Sequence, residues 1–226
     1  MPRKRKNLNI SGSNLWYLVG LITSDGNLSP DGRHINITSK DRSFLCKLKE
    51  AIGLSNKVGV KNKTKTNLAY QIQFANIEFY GFLLKIGLLP RKSLTLGKLK
   101  IPTNFFHDFL RGLIDGDGGI QRWKHATNLN EQWSLRLASG SKYFLMWVKQ
   151  EVELLWSAKG RIYLEDKKST CYRLKYGKMA ACKILEHCYY ENAFGLDRKK
   201  QLALQCVNSY RGWSKSKTVN EGAILT

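Results

Sequence analysis

One sequence pattern occurs twice in the chain and limits the folds that it can adopt. The stretch LVGLITSDGNL begins at Leu18, and LRGLIDGDGGI begins at Leu110; the two agree in register at Leu, Gly, Leu, Ile, Asp and Gly. The segments that follow also correspond, since INITSKDRSFLCKLKEAIGL is matched by LRLASGSKYFLMWVKQEVELL. Repetition of this kind indicates that one structural unit is used twice. We therefore expect two copies of a unit, joined near Pro102, which breaks any helix there.

The repeat predicts the domain boundaries. Two halves cover residues 14–100 and 101–206, between a basic N-terminal arm at residues 1–13 and a polar tail at residues 207–226. The second half carries an insertion around KHATNLNEQ. The opening MPRKRK suits a phosphate-binding arm, a nuclear-import patch or a solvated basic tail. No apolar run follows it, so it is not expected to be a secretory signal.

Hydrophobic periodicity predicts the elements within each half. Both repeated stretches are expected to be helices, from about residues 14–24 and 104–116, that end at Asp-Gly. Alternation predicts three short strands per half, in RHINITS, KVGV and AYQIQF and again in LRLAS, GRIYL and CYRLKY. Amphipathic helices separate the strands, and a final helix follows Asp197. The unit is therefore mixed α and β, with antiparallel pairing and one open sheet face.

The charge of the chain favours a polyanionic partner. Lys and Arg total 38 against 17 acidic residues, a formal net charge of +21. Such self-repulsion in a folded protein is usually offset by nucleic acid. A membrane partner is not expected, because no apolar stretch reaches roughly 18 residues. The odd number of cysteines, 5, and the absence of CxxC indicate reduced thiols in an intracellular protein, and the histidines lack the spacing of a structural zinc site.

The repeated helices have a face made of small residues. Gly20 and Ser24 are four residues apart, as are Gly112 and Gly116, so each pair lies on one side of its helix. Close packing of the two helices would bring their C-termini together, with one aspartate from each. Two carboxylates and the free carbonyls of two helix ends suit a hard divalent cation such as Mg²⁺. A single Asp-Gly is commonly only a cap and turn; its duplication favours a site, and a duplicated but inert helix interface is the alternative.

The two stretches resemble the paired motifs of the LAGLIDADG homing endonucleases in their single-chain form. The resemblance extends over about residues 14–205 and includes SKD after the first strand and RK before the last segment of each half. It implies an α+β fold of two pseudosymmetric αββαββα-type halves, each with a curved antiparallel sheet in a DNA-binding saddle, and motif helices at the central interface. It also implies a monomer that cuts both strands of a long asymmetric DNA target, with a divalent metal, to leave 3′ overhangs.

The resemblance assigns roles to particular residues. The last motif aspartates, Asp25 and Asp117, would be catalytic and would bind Mg²⁺, or Mn²⁺ or Ca²⁺ at the same place, together with the backbone carbonyls of Ser24 and Gly116. Asp115 is not the catalytic position, since the first copy has Thr there. The family's basic residue near each site corresponds to Lys92 and Lys199, with Lys200 as an alternative. In so basic a chain, any one lysine could equally be solvated or contact phosphate.

Strand alternation predicts which side chains face DNA. Those expected to point into the core are Ile35, Ile37, Tyr70, Ile72, Phe74, Leu135, Leu137, Ile162, Leu164, Tyr172, Leu174 and Tyr176. Those expected to contact DNA are Arg33, His34, Asn36, Thr38, Lys61, Gln71, Gln73, Arg136, Arg161, Tyr163, Arg173 and Lys175. Many of these are the side-chain types that bind adenine and guanine edges in the major groove. The residues expected to contact phosphate rather than bases are Arg33, Lys57, Lys61, Lys63 and Lys65. The difference between the halves predicts a non-palindromic target.

Two other functions remain open from the sequence. A maturase could use the same basic sheets to assist splicing of its host intron RNA, and a regulator could bind DNA without cutting it. Both motif aspartates are present, which favours the endonuclease. The endonuclease and maturase functions can also coexist in one chain.

Overall fold

The computed structural model describes residues 8, 10–63, 68–164 and 170–221, with side chains described up to residue 210 and not at residue 63. The basic residues of the predicted N-terminal arm therefore lie outside the described residues, as do Lys65 and the side chain of Lys63. Over the described ranges the chain forms seven α-helices, one short 3-10 helix and eight strands.

The first half contains three helices and four strands. In chain order its elements are α1 (Gly12–Asp25), β1 (Gly26–Leu28), β2 (His34–Ser39), α2 (Arg42–Ala51), β3 (Val58–Lys63), β4 (Leu68–Ala75) and α3 (Ile77–Lys85).

The second half repeats this order after the 3-10 helix at Thr103–Phe105. Its elements are α4 (Phe106–Asp115), β5 (Gly118–Lys124), β6 (Glu131–Ser139), α5 (Lys142–Trp156), β7 (Gly160–Leu164), β8 (Tyr172–Tyr176), α6 (Lys178–Cys188) and α7 (Asp197–Glu221). The predicted final helix after Asp197 is confirmed, and it runs without interruption across residue 206, where the polar tail was predicted to begin.

Each half contains one four-stranded antiparallel sheet, with the order β1-β2-β4-β3 in the first and β5-β6-β8-β7 in the second. The identical order confirms the α+β, two-half arrangement. Alternation did not predict the first strand of either sheet, β1 or β5. Both strands follow the motif aspartate directly and begin with glycine, and β1 has only 3 residues, too few for alternation to show.

Backbone contact joins the two motif helices, as the small-residue face predicted. A Cβ added to Gly20 would lie 2.0 Å from the Phe109 carbonyl oxygen, and a Cβ added to Gly112 would lie 2.2 Å from the Tyr17 carbonyl oxygen. No side chain fits at either position, because atoms this close overlap. The absence of a Cβ at these glycines therefore lets α1 and α4 pack backbone to backbone at the centre of the molecule.

Helices cover one face of each sheet, and the other face is open. The residues of the inner strands that point toward the helices are almost completely buried, among them Ile35, Ile37, Ile72, Leu135 and Leu174. One core prediction is wrong: Leu164 is 44% exposed, because it ends β7, an edge strand that pairs on one side only. Tyr70, Ile162 and Tyr172 are half-buried rather than fully buried.

Candidate active site

The two motif aspartates lie where α1 and α4 meet. Asp25 is the last residue of α1, and Asp117 lies in the short turn between α4 and β5. The helix ends touch here, since a Cβ on Gly116 would lie 2.0 Å from the Ser24 hydroxyl oxygen and 3.3 Å from Asp25 Oδ2. The duplicated sequence thus brings two carboxylates from opposite halves to one place.

Two cavities flank this junction, and each is lined by both halves. The first, of about 280 Å³, has Asp117 and Ser139 from the second half and Ser24, Arg91 and Lys92 from the first. The acid in this cavity therefore faces the basic residues of the other half.

The second cavity, of about 840 Å³, has the reverse composition. Asp25 and Ser39 come from the first half, and Gly116 and Arg198 come from the second. Ser39 and Ser139 occupy equivalent places in the repeat, as do Arg91 and Arg198. The cavities therefore form a pseudosymmetric pair. Each one combines a motif aspartate with the other half's motif residue Ser24 or Gly116.

Both predicted lysines are buried rather than solvated. Lys92 Nζ donates to the Gly26 carbonyl at 2.5 Å, and Lys199 Nζ donates to the equivalent Gly118 carbonyl at 2.8 Å. Lys199 also donates to the carbonyls of Ile114, Asp115 and Gly116, at 2.5, 2.7 and 3.1 Å. Each ammonium thus lies beside the end of its own motif helix, where the partial negative charge of the helix favours a cation.

The backbone before Lys92 adopts an unusual conformation. Arg91 has a φ of 54°, a left-handed value that L residues other than glycine, asparagine and aspartate rarely adopt. Its side chain is exposed while the next residue, Lys92, turns inward. Strained backbone of this kind is typical of functional sites.

The charges of the site perturb one another's pKa. Burial, followed by repulsion from Asp117, raises the pKa of Asp25 to about 6, although Lys199, Lys92 and Arg198 oppose the shift. The Asp117 side chain is more exposed, yet the protein atoms around its carboxylate still raise its pKa against the attraction of Lys199 and Lys92. Burial lowers the pKa of Lys92 and lowers that of Lys199 to about 8.

The oxygen atoms at the junction fit a divalent cation in part. The carboxylates of Asp25 and Asp117 repel each other, and this repulsion adds to the effect of burial in raising the pKa of Asp25. A cation such as Mg²⁺ would bind the carboxylate oxygens and neutralise their charge. The carbonyl of Gly116, predicted to be a metal ligand, accepts a hydrogen bond from Lys199 Nζ at 3.1 Å. No cluster of three His, Cys, Asp or Glu side chains occurs among the described residues, so any cation would depend on Asp25, Asp117, backbone carbonyls and water.

Asp115 has a different environment from the motif aspartate two residues later. It is 4% exposed, and it accepts hydrogen bonds from the Tyr17 hydroxyl at 2.7 Å, the Tyr189 hydroxyl at 2.6 Å and the Leu196 amide at 2.7 Å. Tyr17 belongs to the first half, so Asp115 links the halves. Its equivalent, Thr23, donates to the Val19 carbonyl of its own helix. These contacts place Asp115 in the packing between the halves; that it is not the catalytic acid stays a prediction.

A buried ion pair beside Asp115 was not predicted. Arg111 and Asp108 are both fully buried and lie 2.7 Å apart. Arg111 also donates to the carbonyls of Phe194 and Cys188, at 2.8 and 3.0 Å. The pair therefore holds the segment between α6 and α7, which leads directly into Lys199. The only signal in the sequence was two charges spaced i and i+3 on an otherwise apolar helix face.

The predicted DNA-contacting residues lie on or beside the open sheet faces. Asn36, Thr38, Gln71 and Gln73 line the first sheet, while the second sheet has Arg136, Arg161, Tyr163, Arg173 and Lys175. Arg33 and His34 lie at the start of β2, where both pair with Asp31. The prediction that these residues contact DNA stays a prediction.

Comparison with known proteins gives a result for the fold alone. No protein-family model matches the chain, and no curated protein matches it. Solved structures do match. The meganuclease I-SmaMI bound to uncleaveable DNA has a TM-score of 0.59 and 12% identity, covering 94% of this chain and 99% of that one. The homing endonuclease I-DmoI has a TM-score of 0.55 and 16% identity over 81% of this chain and 94% of that one.

A third matching structure is named DUF199/WhiA and is not named as a nuclease. Full-length DUF199/WhiA from Thermatoga maritima has a TM-score of 0.57 and 15% identity, covering 96% of this chain and 70% of that one. An N-terminal LAGLIDADG domain of DUF199/WhiA also matches. The chain has the LAGLIDADG fold. Because proteins named as endonucleases and WhiA both have it, the fold does not by itself establish an activity.

Several matching structures of I-DmoI were solved with DNA and a divalent metal. I-DmoI was solved with DNA and Ca, with DNA and Mn, and, as a variant, with its target DNA and Mg. Of the helices that the structure describes in the present chain, none is both long and apolar enough to cross a membrane.

Proposed function

We propose that this protein is a site-specific DNA endonuclease of the homing type, which makes a metal-dependent double-strand cut in a long, asymmetric DNA target. The observation that carries the proposal is the pseudosymmetric pair of cavities, each with a motif aspartate from one half and an arginine from the other. One such site for each strand is what a double-strand cut requires. A structural helix interface would need neither aspartates that line cavities nor buried lysines there.

The residues of each site have different proposed roles. Asp25 and Asp117, with the Ser24 and Gly116 carbonyls, would hold Mg²⁺ or a similar cation, which activates water and stabilises the leaving oxygen when bound. Lys92 and Lys199 hold the ends of the motif helices in place and add positive charge beside the scissile phosphates. Arg91 and Arg198 line the cavities from the opposite half, where they would orient the phosphate backbone.

The test is cleavage of a randomised DNA library. The protein is incubated with Mg²⁺, and the ends of any double-strand breaks are sequenced. We expect breaks at one asymmetric target with 3′ overhangs. Asp117→Asn and Asp25→Asn should each abolish the double-strand product and leave DNA binding intact. Asp197→Asn is the matched control, because that exposed carboxylate pairs with Lys47 instead and its loss should leave cutting unchanged.

The results distinguish a wrong assignment of the metal-binding acid from a wrong proposal of endonuclease activity. If Asp117→Asn still cuts, the assignment of the metal-binding acid is wrong. If the wild-type protein binds DNA and cuts no member of the library, the endonuclease proposal is wrong. Binding itself should weaken steeply with added salt, because neutralised phosphates release counterions.

A second candidate function is supported by the contact between Lys199 and Gly116. The Gly116 carbonyl, a proposed cation ligand, accepts from Lys199 Nζ at 3.1 Å, so a cation bound there would lie beside an ammonium that repels it. Binding without cleavage, either as a DNA-binding protein or as a maturase on intron RNA, would leave this contact unchanged. Binding of intron RNA with affinity equal to that for DNA, in the absence of cutting, would favour this candidate over the endonuclease.

A further inference from the structure

The inner strands of the two open sheet faces have different chemistry. In the first sheet the inner strands are β2 and β4, and their open-face side chains include Asn36, Thr38, Gln71 and Gln73. In the second sheet the inner strands are β6 and β8, and the equivalent side chains include Arg136, Arg173 and Lys175. The pseudosymmetric fold therefore presents neutral amides on one side and cations on the other.

The amides of the first sheet are held in place by one another. Lys61 Nζ donates to the Thr38 hydroxyl at 3.0 Å, which donates to Asn36 Oδ1 at 3.3 Å. Asn36 Nδ2 then donates to Gln71 Oε1 at 2.9 Å. The positively charged end of this chain of bonds is on β3, an outer strand. The orientation of the central amides is thus set before any partner binds, which lowers the entropy that binding must overcome.

The cations of the second sheet form a row across three strands. Arg136 lies opposite Lys175, and Lys175 lies opposite Arg161. Like charges directly opposite each other in a sheet are destabilising. Arg136 also has a buried Nε without a hydrogen-bond partner among the described residues, and a buried donor in that state is costly. Both costs would be relieved by a partner with hydrogen-bond acceptors at this position.

The location of these side chains on inner strands indicates which groups of the partner they contact. Side chains at the centre of a sheet that lies in a groove face the base edges, while outer strands lie nearer the phosphates. Guanine presents two acceptors in the major groove, O6 and N7, which arginine and lysine bind. Adenine presents an acceptor and a donor, which asparagine and glutamine bind through both amide atoms.

We infer that the DNA target is divided by composition: the half under the first sheet is recognised at adenines by Asn36, Gln71 and Gln73, and the half under the second sheet at guanines by Arg136, Arg173 and Lys175. This inference rests on the proposed function, because it requires a DNA target. Each half of the protein is thereby assigned to one half of the target and to one type of base.

The test is a binding selection that does not depend on cutting. Random DNA duplexes are selected with the full chain in Ca²⁺, and the enriched sequences are aligned. We expect one adenine-rich and one guanine-rich half-site. The variant Asn36→Ala/Gln71→Ala should relax selection in the adenine-rich half alone. Arg136→Gln should replace a guanine preference by an adenine preference at one position of the other half, by roughly tenfold or more.

A matched control comes from the residue just before the outer strand β3. Lys57 is exposed and is not part of the chain of bonds that orients Asn36, so Lys57→Ala should weaken binding to all sequences about equally, as loss of a phosphate contact does. Equal base composition in the two enriched half-sites would overturn the inference and leave the proposed endonuclease intact, as would an Arg136→Gln variant with an unchanged guanine preference. Failure to enrich any DNA sequence would overturn both. Enrichment by a protein that never cuts would overturn the endonuclease and leave the division of the target standing.

Discussion

The substitution Gly20→Ala tests whether backbone contact between the motif helices holds the two halves together. A Cβ at this position would lie 2.0 Å from the Phe109 carbonyl oxygen and 3.0 Å from Gly112 Cα. Ordinary van der Waals contact begins at 3.4 Å, so the helices would have to separate by about 1.4 Å, the difference between 3.4 and 2.0 Å. Neither obstacle is the flexible end of a side chain, so the helices themselves must move.

The expected loss of stability follows from that movement. Forcing an extra carbon into a packed core costs about 1–3 kcal/mol, and a backbone obstacle places this case at the upper end. Alanine recovers about 1 kcal/mol through its higher helix propensity. We therefore expect the free energy of unfolding to fall by about 2 kcal/mol, measured by urea denaturation followed by tryptophan fluorescence.

Gly81→Ala is the matched control for Gly20→Ala. Gly81 lies within α3, and a Cβ there would meet no atom within 4 Å. The same change should therefore stabilise the protein, by about 0.5–1 kcal/mol. If Gly20→Ala is as stable as the wild type, or if the two variants change stability in the same direction, then the halves are not joined by the contact described here.

Two further predictions concern the aspartates of the motif. Asp115→Ala should destabilise the protein by about 3 kcal/mol, because burying unpartnered donors costs roughly 1–3 kcal/mol each, and Tyr17, Tyr189 and the Leu196 amide would all lose their acceptor. The equivalent Thr23→Ala should cost far less, since that hydroxyl donates to a carbonyl of its own helix; equal losses in thermal unfolding would contradict a structural role specific to Asp115. In metal-free buffer, Asp25→Asn should stabilise the protein more at pH 8 than at pH 5. The folded-state pKa of Asp25, about 6, is above the ordinary carboxyl value, so the folded state holds the proton more tightly and loses stability as the pH rises through this range. Urea titrations of wild type and variant at both pH values measure the effect, and a pH-independent difference would show that the carboxylate is not perturbed.

The sequence was sufficient where the relevant residues recur at fixed spacing. Gly20 and Ser24 predicted the packed face of α1 because small residues four apart must share one side of a helix, and the repeat supplied the matching face of α4. Alternation placed Ile35 and Ile37 in the core and Asn36 on the open face, since a strand directs successive side chains to opposite sides. The strand β1 was missed because 3 residues carry no period.

The sequence was insufficient where partners come from distant irregular segments. Arg111 donates to the backbone carbonyls of Cys188 and Phe194. Every residue has such a carbonyl, so no sequence pattern identifies these two as partners. The same holds for Lys199, whose four carbonyl partners depend on how α7 meets the end of α4. The resemblance assigned Lys92 and Lys199 as basic residues of the site; their burial came only from the three-dimensional arrangement.

The contact between α1 and α4 also decides when the chain can finish folding. α1 is made early in synthesis, and the helix that covers its small-residue face begins only at Phe106. Until then Tyr17, which is 1% exposed in the finished protein, has neither its covering helix nor its partner Asp115. The first half therefore has an apolar helix face that stays uncovered until the second half is synthesised and folds. Because both cavities are lined by residues from both halves, neither exists before that late step, and an interrupted chain carries neither of them.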